Sequence, residues 1–227
     1  MNPEFSLTDS LSLGDLQVYL GRAARVDDGS ARLIASGEVL AVYVGVLSPS
    51  GMLDASPTVL GLRTFALANP AAFDAVVPVR ALLDRLVRRQ NELVDPAAPV
   101  TVDVPPQATA AAWAAISPPR GGWSPVTSTG AALLETVATA GIAEVAAAIP
   151  TGTGEQIVHR VRSEVWGRPI PGLERVPAGA AFAALSLGFL GGGDADEVRV
   201  FETGPWTRLS TPRGHVLVKR KGRSPLG

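Results

Sequence analysis

The tightest constraint on the fold sits in the first quarter of the chain. Residues 38–47, EVLAVYVGVL, carry no charge after Glu38 and are rich in Val. A run this short, β-branched and without polar alternation reads as a strand covered on both faces. The chain must therefore build a sheet and supply layers for both of its sides.

The flanks supply neighbours for that strand. Residues 32–36 read as a short strand, with Ser36-Gly37 as a tight turn, and residues 59–68 as a third. Pro49, Gly51 and Pro57 break the loop between the last two. Residues 1–11 read as loose. Ser12 is the expected N-cap of a first helix, with Asp15 at its third position and Leu13, Leu16, Val18, Leu20 and Ala24 along it. That helix should end near Arg25, before Asp27-Asp28-Gly29. Pro78 suits the first turn of a second helix running to about Leu93. Its Val79, Leu82, Leu83, Leu86 and Val87 share one arc at 100° per residue, opposite Arg80, Asp84, Arg85, Arg88 and Arg89.

Residues 95–125 change character, holding seven of the 19 prolines. Residues 100–104 read as a short strand and 107–116 as a short helix, with Trp113 and Trp123 as packing residues. Three helices follow. The first, 130–148, starts behind Ser128 or Thr129 and has Leu134, Val137, Gly141, Val145 and Ala148 as its face. The second, 155–166, starts with a Thr153/Gln156 capping box and buries Ile157, Val158, Val161 and Val165. The third, 178–190, opens at Pro177 and closes on the glycines after Leu190. Strands at 198–202, 206–210 and 215–219 end the chain, the last two joined by a turn over Thr211-Pro212-Arg213-Gly214.

The predicted class is α+β, with antiparallel strand groups at about 31–68 and 197–220 and the helices between them packed on the sheet. The two groups could share one sheet of mixed order. The expected organisation is a helix–three-strand–helix subdomain over 1–94, a Pro/Ala-rich connection over 95–126, and a helical part ending in a meander over 127–227. A single continuous domain is the alternative.

Composition removes whole classes of function. Hydrophobic residues are 46% and charged residues 18%, which excludes disorder over most of the chain. The net charge is −1, so no global basic field draws the chain to nucleic acid. There is no Cys, so disulfides, thiolate catalysis and zinc–thiolate or iron–sulfur sites are excluded. The N-terminus carries no signal peptide pattern. Residues 178–190 are too short to span a bilayer, and residues 130–149 carry Glu135 and Glu144. No membrane partner is expected, and a cytoplasmic address follows by default.

Chemistry-bearing motifs are sparse. The only histidines are His159 and His215, and no G-x-S-x-G elbow occurs. Asp194, Asp196 and Glu197 do not have EF-hand spacing and read as a solvated turn. No metal or cofactor is expected. Thr151-Gly152-Thr153-Gly154 before a helix could cradle an anion on backbone N–H groups, or serve only as a helix start. Pro118-Pro119-Arg120-Gly121-Gly122-Trp123 could present Arg120 to a carboxylate or phosphate beside Trp123, or else pack Trp123 and cap a carbonyl with Arg120. Arg213 and His215 stand at the last hairpin. The candidate ligand site is therefore Arg120, Trp123, Thr153, Gly154, Arg213 and His215. Lys219, Arg220, Lys221 and Arg223 form a short basic tail.

The resulting expectation is a non-catalytic binding or protein-interaction module, with a homo-oligomer or protein partner. An enzyme or sensor for an anionic small molecule is the alternative. Nucleic-acid binding through the tail is the third reading and the one least supported.

Overall fold

The computed structural model describes residues 3–27, 29–49, 51, 54, 56–107, 111–149, 153–191 and 197–219. Asp28, Thr151, Gly152, Asp194, Asp196 and the tail residues Arg220, Lys221 and Arg223 lie outside the described residues. In chain order the elements are β1 (Glu4–Leu7), α1 (Ser10–Val26), β2 (Ser30–Leu47), β3 (Thr58–Pro78), α2 (Val79–Glu92), β4 (Val100–Asp103) and a 3-10 turn (Ala112–Ala115). Then come β5 (Ser124–Gly130), α3 (Ala131–Ala148), α4 (Glu155–Gly167), β6 (Pro169–Ile170), β7 (Leu173–Pro177), α5 (Ala178–Ser186), β8 (Glu197–Thr203), β9 (Trp206–Thr211) and β10 (Gly214–Lys219). This is the α+β class. Eight strands are hydrogen-bonded in the order β4-β1-β3-β10-β9-β8-β5, with β2 on β3. β6 and β7 form a separate hairpin.

The chain divides into two compact units. The first is Met1–Gly45 with Leu62–Ile116, the second Val46–Gly61 with Ser117–Gly227.

In the first unit β1 pairs with β4 and with β3, and α1 packs on α2. Leu13, Leu16, Tyr19 and Leu20 of α1 are fully buried, as are Leu82 and Leu86 of α2. The Tyr19 hydroxyl donates to the Val42 carbonyl at 3.3 Å, and burial drives its pKa well above the usual value. Arg32 donates from Nε and Nη2 to both carboxylate oxygens of Asp74, at 2.8 and 2.6 Å, and from Nη1 to the Ala114 carbonyl at 2.8 Å. Trp113 is 7% exposed and lies on the backbone of Gly45, where a Cβ would sit 2.7 Å from its Nε1.

In the second unit β5, β8, β9 and β10 form an antiparallel sheet. Helix α3 packs on α5, α4 packs on both, and α5 contacts β10. Small residues allow the close approach. Gly141 of α3 faces the ring of Trp166 in α4, and Trp166 stacks on Phe182 of α5 with ring centroids 4.4 Å apart.

Several sequence expectations are corrected. Residues 4–7 are strand, because β1 finds partners on both sides that a local reading cannot see. Helix α1 starts at Ser10, and its N-cap is Asp9, which accepts from the Ser12 N–H at 2.7 Å. Residues 32–36 and 38–47 belong to one strand, β2, in which Gly37 takes a left-handed φ of +62°. The predicted third strand runs on to Pro78, through Asn69-Pro70. Both of those residues are exposed, and a proline's fixed φ is compatible with extended backbone where its missing N–H is not needed. The expected helix over 107–116 is only a 3-10 turn over its described part.

Ser128 and Thr129 lie in β5 and cap nothing, and the N-cap of α3 is Gly130. The buried line of α3 is Ala131, Leu134, Ala138 and Gly141, whereas Ala148 is exposed. The N-cap of α4 is Gly154, one residue after the expected Thr153. Ile157 is 55% exposed, because α4 buries Val165 and Trp166 at its far end instead.

Helix α5 ends at Ser186 rather than Leu190. Gly188, at φ +73°, closes it. Its N–H donates to the Leu185 carbonyl and that of Phe189 to the Ala184 carbonyl, at 3.0 and 2.8 Å. This paired closure needs a residue in the left-handed region, which glycine adopts at least cost.

Candidate functional site

Alternation along the strands of the second unit decides which side chains share a face. The register pairs Arg199 with Ser210, Phe201 with Arg208, Ser210 with His215 and Arg208 with Leu217. These residues therefore point to one face of the β8–β9–β10 sheet. Val198, Val200, Leu209, Val216 and Val218 point to the other and are buried. The first face carries Arg199, Phe201, Arg208 and His215 in one cluster, with Lys219 further along against the Trp206 ring at 5.9 Å.

Arg208 is the hub. Its guanidinium carbon lies 4.6 Å from the ring centroids of both Trp123 and Phe201. Arg199 lies 5.9 Å from the same Phe201 ring. Aromatic faces attract guanidinium groups and hold them flat, fixing the direction of their N–H edges. The Arg208 Nε is buried and has no hydrogen-bond partner. An unmade bond to a buried donor costs about 1–3 kcal/mol. Burial, then the Arg199 charge, holds the Arg208 pKa below the usual guanidinium range. No ion pair joins Arg199, Arg208 or His215 to a carboxylate among the described residues. On β8, Glu202 points to the opposite face and pairs with Arg175 at 2.8 Å. Glu197, on the near side of Arg199, forms no bridge to it.

His215 is half-buried. Its Nδ1 lies 3.0 Å from the Ser210 Oγ. Burial, then the Arg208 charge, lowers its pKa from the usual histidine value. The unfolded chain therefore binds the proton more readily than the folded one. Stability linked to His215 is complete above about pH 6.5 and is lost as pH falls through the lowered folded value. The expected result is a steeper acid loss of stability in the wild type than in His215→Gln, measured by urea unfolding from about pH 7.5 to about pH 5. Parallel curves would remove His215 from the titration.

The structure brings two of the six sequence-chosen residues, Trp123 and His215, to this face, at either side of Arg208. Trp123 is half-buried, and its Nε1 donates to the Pro119 carbonyl at 3.1 Å. The other four stand elsewhere. Arg120 is exposed in the preceding bend. Arg213 is exposed in the hairpin turn, and its Nη1 lies 3.5 Å from the Leu190 carbonyl. Thr153 and Gly154 stand at the start of α4. Arg199, Phe201 and Arg208 were missed. Alternation within 198–202 and 206–210 places Arg199 with Phe201, and Arg208 with Ser210, on one face of each strand, but the pairing of the strands and the approach of Trp123 are tertiary.

A second concavity lies between α4 and Asp54, Ser56 and Pro57. It measures about 500 Å³ and is lined by Asp54, Ser56, Arg160, Ser163, Glu164 and Arg168. Arg168 is already paired with Glu144 at 2.8 Å and Glu164 at 3.5 Å, and His159 Nε2 lies 3.6 Å from Asp54. Its charges are largely compensated. Among the described residues no group of three His, Asp or Glu side chains could hold a metal. Helix α3 is the one described helix long and apolar enough to cross a membrane. In the second unit it packs on α4 and α5.

Comparison with known proteins adds the fold. Residues 1–105 match a family model described as Domain of unknown function (DUF8010), and residues 118–223 one described as Domain of unknown function (DUF8185). No curated protein matches the chain. Among solved structures, a putative DNA polymerase III beta subunit from Eubacterium rectale aligns with 98% of this chain and 65% of its own, at 7% identity and a TM-score of 0.53. The Caulobacter crescentus pol III beta aligns with 97% and 66%, at 12% identity and a TM-score of 0.52. A sliding clamp (DNA polymerase III subunit beta) from Bartonella birtlesii aligns with 100% and 69%, at 13% identity and a TM-score of 0.49. The chain spans just under two thirds of the length of the first two, and it has their fold.

Proposed function

We propose that the chain acts by binding rather than by catalysis, as a protein-interaction scaffold that assembles with a second copy or a protein partner. The observation that carries this reading is the beta-subunit fold along 97–98% of the chain. The solved structures that it resembles are beta subunits of a DNA polymerase, and several are described as sliding clamps.

Charge favours a protein partner over nucleic acid. Affinity for duplex DNA comes largely from Lys and Arg that neutralise phosphates. Helix α3 carries Glu135 and Glu144 and no cation, and α5 carries no charged residue at all. On α2, Arg89 is engaged by Glu92 and Asp103 at 3.1 and 3.2 Å. The net charge of −1 adds no long-range attraction.

Two measurements test this. Light scattering after size exclusion should return a multiple of 23.4 kDa, and a fluorescein-labelled short duplex at low salt should show no rise in anisotropy. A monomer at every concentration overturns the second-copy assembly. A duplex complex whose affinity falls steeply with salt replaces the protein-interaction reading by nucleic-acid binding.

A further inference from the structure

The face built by Arg199, Arg208 and His215 concentrates donors that no described carboxylate pairs with. Arg208 has a buried Nε with no partner, and its guanidinium rests against Trp123 and Phe201. Arg199 stands beside it, exposed. A half-buried guanidinium with a second one beside it, and no described carboxylate paired with either, leaves a site whose complementary component is an anion. We propose that this face is the docking site for an acidic segment of a protein partner, whose carboxylate is received by the N–H edges of Arg208 and Arg199. This rests on the protein-interaction reading and names the chemistry of the partner.

A planar guanidinium offers its paired N–H edges in the geometry a carboxylate accepts bidentately. A single-stranded nucleic acid would need open ring faces on which bases could stack. Here guanidinium groups crowd the rings, two of them around Phe201 and one against Trp123. The groups on offer are cations, and the complementary partner is a carboxylate.

The test is anisotropy of a fluorescein-labelled Glu-rich peptide against the full chain at low salt. A single-stranded oligothymidylate of equal charge is titrated in parallel. The peptide should bind and the oligonucleotide should not. Arg208→Gln should weaken the peptide at least tenfold and Arg199→Gln about fivefold, with Arg208→Lys in between. Arg120→Gln, an exposed arginine outside the cluster, should leave binding unchanged. If Arg208→Gln lowers the melting temperature sharply, Arg199→Gln on the exposed edge carries the test alone. Equal losses in Arg120→Gln, tighter binding of the oligonucleotide, or no peptide binding overturns the site. Absent peptide binding in a chain that still assembles and still ignores duplex DNA removes this inference and leaves the protein-interaction reading standing.

Discussion

Gly141→Ala should destabilise the protein by about 1–3 kcal/mol, although the same change elsewhere in its helices stabilises it. In an open helix interior, alanine gains up to about 1 kcal/mol over glycine through backbone entropy and propensity. Gly21 in α1 is such a site, with nothing within 4 Å of the added Cβ. At Gly141 the Cβ would fall 2.7 Å from Cη2 and 3.2 Å from Cε3 of Trp166, and closer still to Cζ3. The ring cannot retreat. Trp166 is 2% exposed and stacks on Phe182 at an interplanar angle of 21°. The helices α3 and α4 must separate, and the overpacking cost exceeds the propensity gain. Calorimetry on the two variants reads the sign directly. For a chain of this size each kcal/mol moves the midpoint by about 2–4 °C. Gly21→Ala should rise by a few degrees and Gly141→Ala should fall by several. A rise in both would mean that Trp166 does not pack on the Gly141 backbone.

Gly214→Ala should be comparably damaging, through a different contact. Its Cβ would sit 2.5 Å from Cε1, 2.7 Å from Cζ and 2.8 Å from Cδ1 of Phe189. Phe189 is 1% exposed, and it is placed there by the closure of α5 at Gly188. One glycine turns the chain and the other leaves room for the ring that the turn delivers. Phe189→Ala alone should cost about 3–5 kcal/mol, as a large buried ring is lost. In that background Gly214→Ala should cost less, because the atoms it strikes are gone and only the strain of its φ of +158° remains. A double-mutant cycle by denaturant unfolding measures this coupling. Additive losses would show that the two residues do not touch.

Two members of the candidate cluster were singled out before the fold was known. Trp123 and His215 could be singled out because Trp and His are rare here and stand beside turns. Arg208 could not, because an arginine in a strand reads as a solvated side chain until its neighbours are known. Its character comes from Trp123, more than 80 residues earlier in the chain, and from Arg199 and Phe201 across the ladder. Arg120 and Arg213 were chosen from the sequence, for the turns they stand in. Arg213 instead reaches toward a carbonyl near the end of α5, and Arg120 stands exposed.

The sequence by itself determined the α+β class, the three closing strands with their hairpin, and three of the five apolar residues of the α2 arc, since Val79, Leu82 and Leu86 are buried while Leu83 is half-buried and Val87 exposed. These rest on local periodicity and turn chemistry, which act over a few residues. Only the tertiary structure decided that residues 4–7 form a strand, that β3 continues past Asn69-Pro70, and that α5 closes at Gly188 instead of after Leu190. A short strand is stabilised by the partners it finds, and β1 finds them in β3 and β4, distant in the chain. The buried face of α3 was likewise set by what it packs on, since a helix of Ala, Gly and Leu with little polar contrast has no strong preference of its own. Trp166 filling the space over Gly141 makes that choice, and no spacing along α3 contains it.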